Sequence, residues 1–248
     1  MHTPRAALIV VGSEVLSAKV HDENGPYATE RLRDLGVRLA SIVTIPDELD
    51  LVAETVARER ARVDWLFTSG GVGPTHDDVT VPAVAKALGR PIRRLPALAA
   101  ALREGHRRWL GVDDVPEAVL KMADVPEGAR LAGDPSYPVI VAENVVMLPG
   151  VPRFFRMQFD AFCASLGAPP FRLASAYLAL REDEFAALLD RVAREHPDVE
   201  IGSYPRFDGA DHSVRVTFEA KDVGRVTIAR AEFLSRLPPG AIVRLVGP

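Results

Sequence analysis

The sequence predicts an α/β protein in which a mostly parallel sheet lies between helices and a small α+β unit follows. Three observations carry this reading. Apolar runs short enough for strands alternate with helix-period segments through the first half. The run Gly167-Ala168-Pro169-Pro170 breaks the chain, and the pattern beyond it reads β-α-β-β-α-β. The composition, 48% hydrophobic and 26% charged over 248 residues, is enough for a large core and a smaller second one.

Ala6 to Val11 is continuously apolar and stops at Gly12, as suits a strand covered on both faces. Asn24 is placed to cap a helix through Tyr27, Leu32 and Leu35 that Gly36 ends. Val37 to Val43 reads as the next strand. Glu48 to Arg62 is a helix with Leu49, Val52 and Val56 on one face. Trp65 to Thr68 is a third strand, and a helix runs from about Val79 to Leu88. Strands separated by helices imply right-handed crossovers and parallel pairing.

Arg93 to Met122 reads as helical, with Pro96 near the start of one helix. Pro138 to Val141 and Val145 to Leu148 form a hairpin through Ala142-Glu143-Asn144, and an amphipathic helix ends near Leu166. Two domains are therefore expected, 1–168 and 169–248. In the second, strands at Phe171 to Leu180, Val199 to Tyr204, Ser213 to Phe218 and Ala241 to Val246 enclose helices at Glu182 to Arg194 and Val223 to Leu237.

The formal net charge of −4 disfavours nucleic acid and anionic membranes as partners. The short N-terminal apolar run is too brief for a signal peptide or a membrane span, and one cysteine, Cys163, excludes an internal disulfide. A cytoplasmic protein is expected, with Cys163 as a buried apolar side chain.

The chemistry concentrates after the third strand, in Ser69-Gly70-Gly71-Val72-Gly73-Pro74-Thr75-His76-Asp77-Asp78. Glycines let the backbone turn and approach a ligand without Cβ obstruction. Successive N–H groups running into a helix N-terminus make an anion cradle, and open α/β sheets bind ligands at that edge. Two adjacent carboxylates would repel a bare phosphate, so a divalent cation reconciles them; Mg²⁺ takes one or two carboxylates with phosphate and water. Asp78 could instead cap the following helix. Gly12, Ser13 and Glu14 end the first strand at the same edge, with Glu14 either ligand-facing or a solvated helix-start acid. Asn24 is a cap or a ligand contact, and Asp47 a site carboxylate or a cap for the next helix.

Thr68 to Thr80 closely resembles the signature of the molybdopterin-binding (molybdenum-cofactor biosynthesis) domain, above all its version in the CinA (competence/damage-inducible protein A) family. Gly12 to Leu16, Lys121 to Ala129 and Leu148-Pro149-Gly150-Val151-Pro152 support the match, and Tyr137 to Pro152 is also similar to the N-terminal domain of eukaryotic FAD synthase. The chain departs from the CinA pattern at Ser17-Ala18-Lys19 and Asp22-Glu23-Asn24.

The resemblance implies a three-layer α/β sandwich and a homo-oligomer, dimer or trimer. It implies a small-molecule nucleotide or pterin ligand, molybdopterin among them, contacting Ser69, Gly70, Gly71, Gly73, Thr75, Gly12, Ser13, Glu14, Asn24, Pro149 and Gly150. Asp78, with Asp77 and Asp47, would be catalytic and bind a divalent metal (Mg, Mn or Co). The implied activity is metal-dependent hydrolysis of a pyrophosphate bond in ADP-ribose, FAD or a similar dinucleotide. The alternatives are a module that binds without turnover, or molybdopterin adenylyl transfer. Deamidation and FAD synthesis are not expected, as the domains for them find no room before Pro248.

Overall fold

A computed structural model describes residues 3–207 and 211–248. The chain divides into two compact units, the first reaching to Ala168 and the second Pro169–Pro248.

Strand β1 (Arg5–Val11) shows why the first unit is layered. Its side chains from Ala6 onward are all buried, and they alternate between two cores. Ala7, Ile9 and Val11 join one cluster with Val52, Val56, Val81, Val84 and Leu98. Ala6, Leu8 and Val10 join the other with Leu32, Phe67, Phe155, Phe159 and Cys163. A period-two strand with both faces apolar requires helices on both sides.

After β1 come α1 (Ser13–Leu16), α2 (Asn24–Asp34), β2 (Arg38–Ile45), α3 (Leu49–Arg60), β3 (Trp65–Ser69) and α4 (Thr80–Leu88). Then follow β4 (Ile92–Arg94), α5 (Pro96–Leu110), α6 (Glu117–Leu120), β5 (Asp124–Pro126), β6 (Arg130–Ala132), β7 (Val139–Ala142), β8 (Val145–Leu148) and α7 (Pro152–Cys163). The six-stranded sheet has the order β2-β1-β3-β8-β7-β6. The first four strands of that order are parallel, while β7 and β6 add antiparallel. The hairpin turns through Glu143 and Asn144, with Glu143 at φ 51°. The sandwich expected from the sequence is present. Burial pushes the Cys163 thiol up to about 12, so it stays neutral inside the α7 core.

The stretch Arg93 to Met122 is not helical from its start. Ile92 to Arg94 forms β4, which pairs with β5 through Ile92↔Pro126, Arg93↔Val125 and Arg94↔Asp124. Arg94 fixes this small ladder by ion pairs to Asp124 at 2.6 Å and Glu117 at 2.8 Å.

The second unit contains β9 (Arg172–Leu178), α8 (Ala186–Glu195), β10 (Glu200–Pro205), β11 (Val214–Ala220), α9 (Val223–Ser235) and β12 (Ile242–Val246). Its sheet order is β10-β11-β9-β12, with every neighbour antiparallel. This is the split β-α-β arrangement expected from the element order. Ala174, Ala176, Leu178, Val216 and Phe218 pack on Val192, Val226 and Phe233 from the two helices. Asp222 caps α9, accepting from the N–H of Gly224 at 2.7 Å. Among the described residues no helix is long and apolar enough to cross a membrane.

Candidate functional site

Parallel pairing of β1, β3 and β8 brings three chain segments to one sheet edge: Gly12-Ser13, the glycine loop, and Pro149-Gly150. The glycines are required there by close approach of the chain to itself. At Gly70, φ is +98° and a Cβ would collide with the Val11 carbonyl oxygen. At Gly71, φ is +67° and a Cβ would collide with Thr80 Oγ1. A Cβ on Gly150 would sit 3.3 Å from Gly70 Cα. Gly70 and Gly71 occupy the region that side chains rarely adopt, so sterics and backbone strain select glycine together.

This tight packing settles which amides are available to a ligand. Gly70 N–H donates to Leu148 O at 3.0 Å, extending the sheet, so it is not part of the cradle. The sequence expectation counted Gly70 among the ligand contacts; its amide is used within the sheet. Among the described residues the N–H groups of Gly71, Val72 and Gly73 meet no acceptor, and all three residues are half-buried. Thr80, fully buried, holds the loop from behind: its Oγ1 donates to Gly70 O at 2.7 Å and its N–H to Gly71 O at 2.9 Å. The sequence reading gave Thr80 no role.

Three side-chain groups line this edge. In the first, Thr75 Oγ1 lies 2.6 Å from both Asp77 Oδ1 and Asp78 Oδ2, and Thr75 N–H donates to Asp78 Oδ2 at 2.7 Å. The absence of a side chain at Gly73 admits the Asp78 carboxylate, whose Oδ2 lies 2.7 Å from where a Cβ would stand. Asp78 therefore folds back on its own loop and does not cap α4. The Thr75 hydroxyl, then the backbone N–H of Asp77 itself, hold the Asp77 carboxyl below the usual carboxylate range. His76 is fully out in solvent, 3.9 Å from Asp77.

In the second group, Ser13 N–H donates to Asp47 Oδ2 at 2.8 Å and Asp47 N–H to Ser13 Oγ at 3.4 Å. Asp47 thus ties the first strand end to the second and caps no helix. Glu14 is exposed at the start of α1, its carboxylate turned back over Gly12. In the third group, Asn24 Nδ2 donates to Ser69 Oγ at 2.9 Å and to Gly150 O at 2.8 Å. The carbonyl can only accept, which fixes the orientation of the amide. Asn24 Oδ1 is then a buried acceptor without a partner, in a residue lining a cleft of about 50 Å³ with Asp22, Glu14 and Ser69. Capping of α2 falls to Asp22, whose carboxylate accepts from the N–H groups of Asn24 at 2.9 Å and Gly25 at 3.1 Å.

Among the described residues no three His, Cys, Asp or Glu side chains gather closely enough to hold an ion, so Asp47 does not complete a set with Asp77 and Asp78. Nor does any described Lys or Arg pair with Glu14, Asp22, Asp47, Asp77 or Asp78, which leaves this edge acidic. An apolar cavity of about 330 Å³ adjoins the loop through Val72 and Pro149, walled by Leu98, Leu102, Met122 and Phe154. No local pattern marks it in the sequence, because its walls come from six separate segments.

Fold and site together define an α/β sandwich protein with unspent backbone amides at the carboxyl edge of its parallel strands, the edge at which open α/β sheets bind ligands. The chain belongs to the molybdopterin-binding-domain family: residues 7–168 match the family described as probable molybdopterin binding domain. Residues 170–246 match the family described as FAD synthase, middle domain. A protein of Archaeoglobus fulgidus is 31% identical over 91% of this chain and 95% of its own length. A probable FAD synthase of Caenorhabditis briggsae is 30% identical over 92% of this chain and a CinA-like protein of Thermotoga maritima 29% over 84%. This chain spans about half the length of each of those two, 49% and 51%. The crystal structure of CinA from Thermoplasma acidophilum matches with TM-score 0.55 and 28% identity over 62% of this chain and 92% of that one.

Proposed function

We propose that the protein is a metal-dependent hydrolase of a dinucleotide pyrophosphate bond, of the ADP-ribose or FAD type. The single observation that carries this reading is the unspent amide run Gly71, Val72 and Gly73 beside the Thr75-bridged pair Asp77 and Asp78. The amides offer three donors to a diphosphate. The carboxylate pair, Asp77 exposed and Asp78 half-buried, offers hard oxygen donors, which fits a small divalent cation. Asp77 and Asp78 would hold that ion, and Asp47 keeps its place on Ser13. A bound cation supplies charge neutralisation on the phosphates and a lowered pKa for its water. Gly71 to Gly73 orient the diphosphate and stabilise negative charge developing on it. Thr75 keeps the two carboxylates at a fixed separation, and the apolar cavity beyond Val72 and Pro149 receives a flat ring of the substrate. The relatives named FAD synthase support a flavin or adenine nucleotide in that position.

A second reading has its own support: the carboxylates are already hydrogen-bonded, and Asn24 Oδ1 is a buried acceptor suited to recognising a ligand N–H. On that reading the chain binds molybdopterin or a nucleotide without turnover.

Incubation with ADP-ribose and FAD plus Mg²⁺, Mn²⁺ or Co²⁺ separates the two. The hydrolase forms mononucleotide products, and Asp78→Asn lowers kcat by at least about a hundred-fold with unchanged thermal stability. Full turnover in Asp78→Asn removes Asp78 from the mechanism; tight binding with no product in any metal establishes the binding module.

A further inference from the structure

The outer face of the second unit's sheet carries a row that its core does not explain. By strand register, Tyr204 on β10 pairs with Arg215 on β11, Arg215 with Tyr177 on β9, and Tyr177 with Arg244 on β12. Aromatic and cationic residues thus alternate across all four strands on the side away from the helices. Arg244 lies over the Tyr177 ring at 3.9 Å and Arg215 over the Tyr204 ring at 5.0 Å. Each guanidinium is thus placed over an aromatic ring.

His212, buried, packs edge-on against Tyr177 at 4.7 Å with its Nδ1 2.6 Å from Asp211 Oδ1. With Arg206 these residues line a concavity of about 330 Å³. Three arginines face it, and Asp211 reaches Arg244 only at 3.9 Å. Among the described residues no carboxylate pairs with Arg215.

We propose that this face is a nucleotide-binding site, in which Arg215 and Arg244 hold the phosphate of a mononucleotide and the exposed Tyr204 ring takes its base. A stack of tyrosines and arginines placed only to stabilise a sheet needs no excess of positive charge. Here, among the described residues, Arg215 has no carboxylate of its own and Asp211 is the one carboxylate near Arg244, and the remaining positive charge is relieved by an anion. Guanidinium groups suit phosphate because their planar donor forks match its oxygens. The concavity is at the small end of ligand sites, the size of one nucleotide. The site uses residues of the second unit alone, so it stands or falls separately from the hydrolase reading.

The test follows the β9, β11 and β12 amide resonances of the nitrogen-labelled full chain, in EDTA, during titration with AMP, adenosine, inorganic phosphate and a ten-nucleotide RNA. AMP is expected to give saturable shifts at Tyr177, Arg215 and Arg244 that weaken as salt rises. Arg215→Gln with Arg244→Gln weakens AMP binding about ten-fold or more. Tyr204→Ala brings AMP down to the affinity of phosphate. All three positions face solvent at least in part, so the variants keep the fold, which their melting curves check. The proposal is overturned if AMP leaves these resonances unmoved, if the arginine variants bind AMP as the parent does, or if phosphate alone binds as tightly as AMP. RNA shifting the same amides at lower concentration than AMP overturns it too, in favour of a nucleic-acid surface.

Discussion

At the scale of single residues, the glycine loop was legible in the sequence for a reason only half correct. Gly70, Gly71 and Gly73 do mark a backbone that tolerates no side chain. Yet the obstruction at Gly70 is the Val11 carbonyl, at Gly71 it is Thr80, and at Gly73 it is Asp78, all of them parts of the protein. The loop is built first against its own fold, and the free amides are what remains. Gly70→Ala accordingly meets a positive φ and a backbone clash together. A loss of about 3 kcal/mol is expected, measured by denaturant unfolding. Gly89→Ala, at φ 62° with open space around it, supplies the control and loses only about 1 kcal/mol. Equal losses at the two positions would mean that strand-end packing adds nothing to strain. The link Asn24–Ser69–Gly150 was not legible, because its partners lie 45 and 126 residues from Asn24. A sequence can nominate a polar residue, but only the sheet order decides what it faces.

At the scale of elements, long strands and helices were readable because their apolar periods are complete. β4 and β5 were not: three residues each, beside prolines, they carry no period and are held by Arg94, by register and by the burial of Val125. The helices covering the sheet are joined by contacts that patterning cannot reveal either. Tyr27 on α2 donates to Asp160 Oδ2 on α7 at 2.6 Å, and Arg31 reaches the same carboxylate at 2.9 Å. Burial first, and then this bond to Asp160, push the Tyr27 hydroxyl up to about 12. A folded pKa above the unfolded value near 10 gives stability that is complete below pH 10. That contribution disappears as pH climbs through 12. The parent protein should therefore lose stability more steeply than Tyr27→Phe between pH 10 and 12, read from urea midpoints at each pH. Parallel curves for the two proteins would show that α2 and α7 are not coupled through this proton.

At the scale of the whole molecule, each unit closes its own core. The first unit's sheet is sealed on one side by α3, α4 and α5 and on the other by α2 and α7. The second unit's sheet is sealed on one side only, by α8 and α9, leaving the tyrosine–arginine row outward. The two family matches fall on either side of the same point, 7–168 and 170–246. A core that is complete within one segment supplies its own folding cooperativity. Residues 169–248, expressed alone, are thus expected to give a single sigmoidal melt and native-like amide dispersion. Residues 1–168 should do the same and retain whatever pyrophosphate hydrolysis the full chain has. The smaller piece is the harder case, since about eighty residues bury a smaller share of their surface than a larger domain does. Its capped α9, buried Phe218–Phe233 pair and four-stranded sheet are the features that offset this. A broad, uncooperative melt for that fragment would mean that the second core needs the first unit to form. Loss of hydrolysis from 1–168, with its melt intact, would place part of the catalytic apparatus in the second unit.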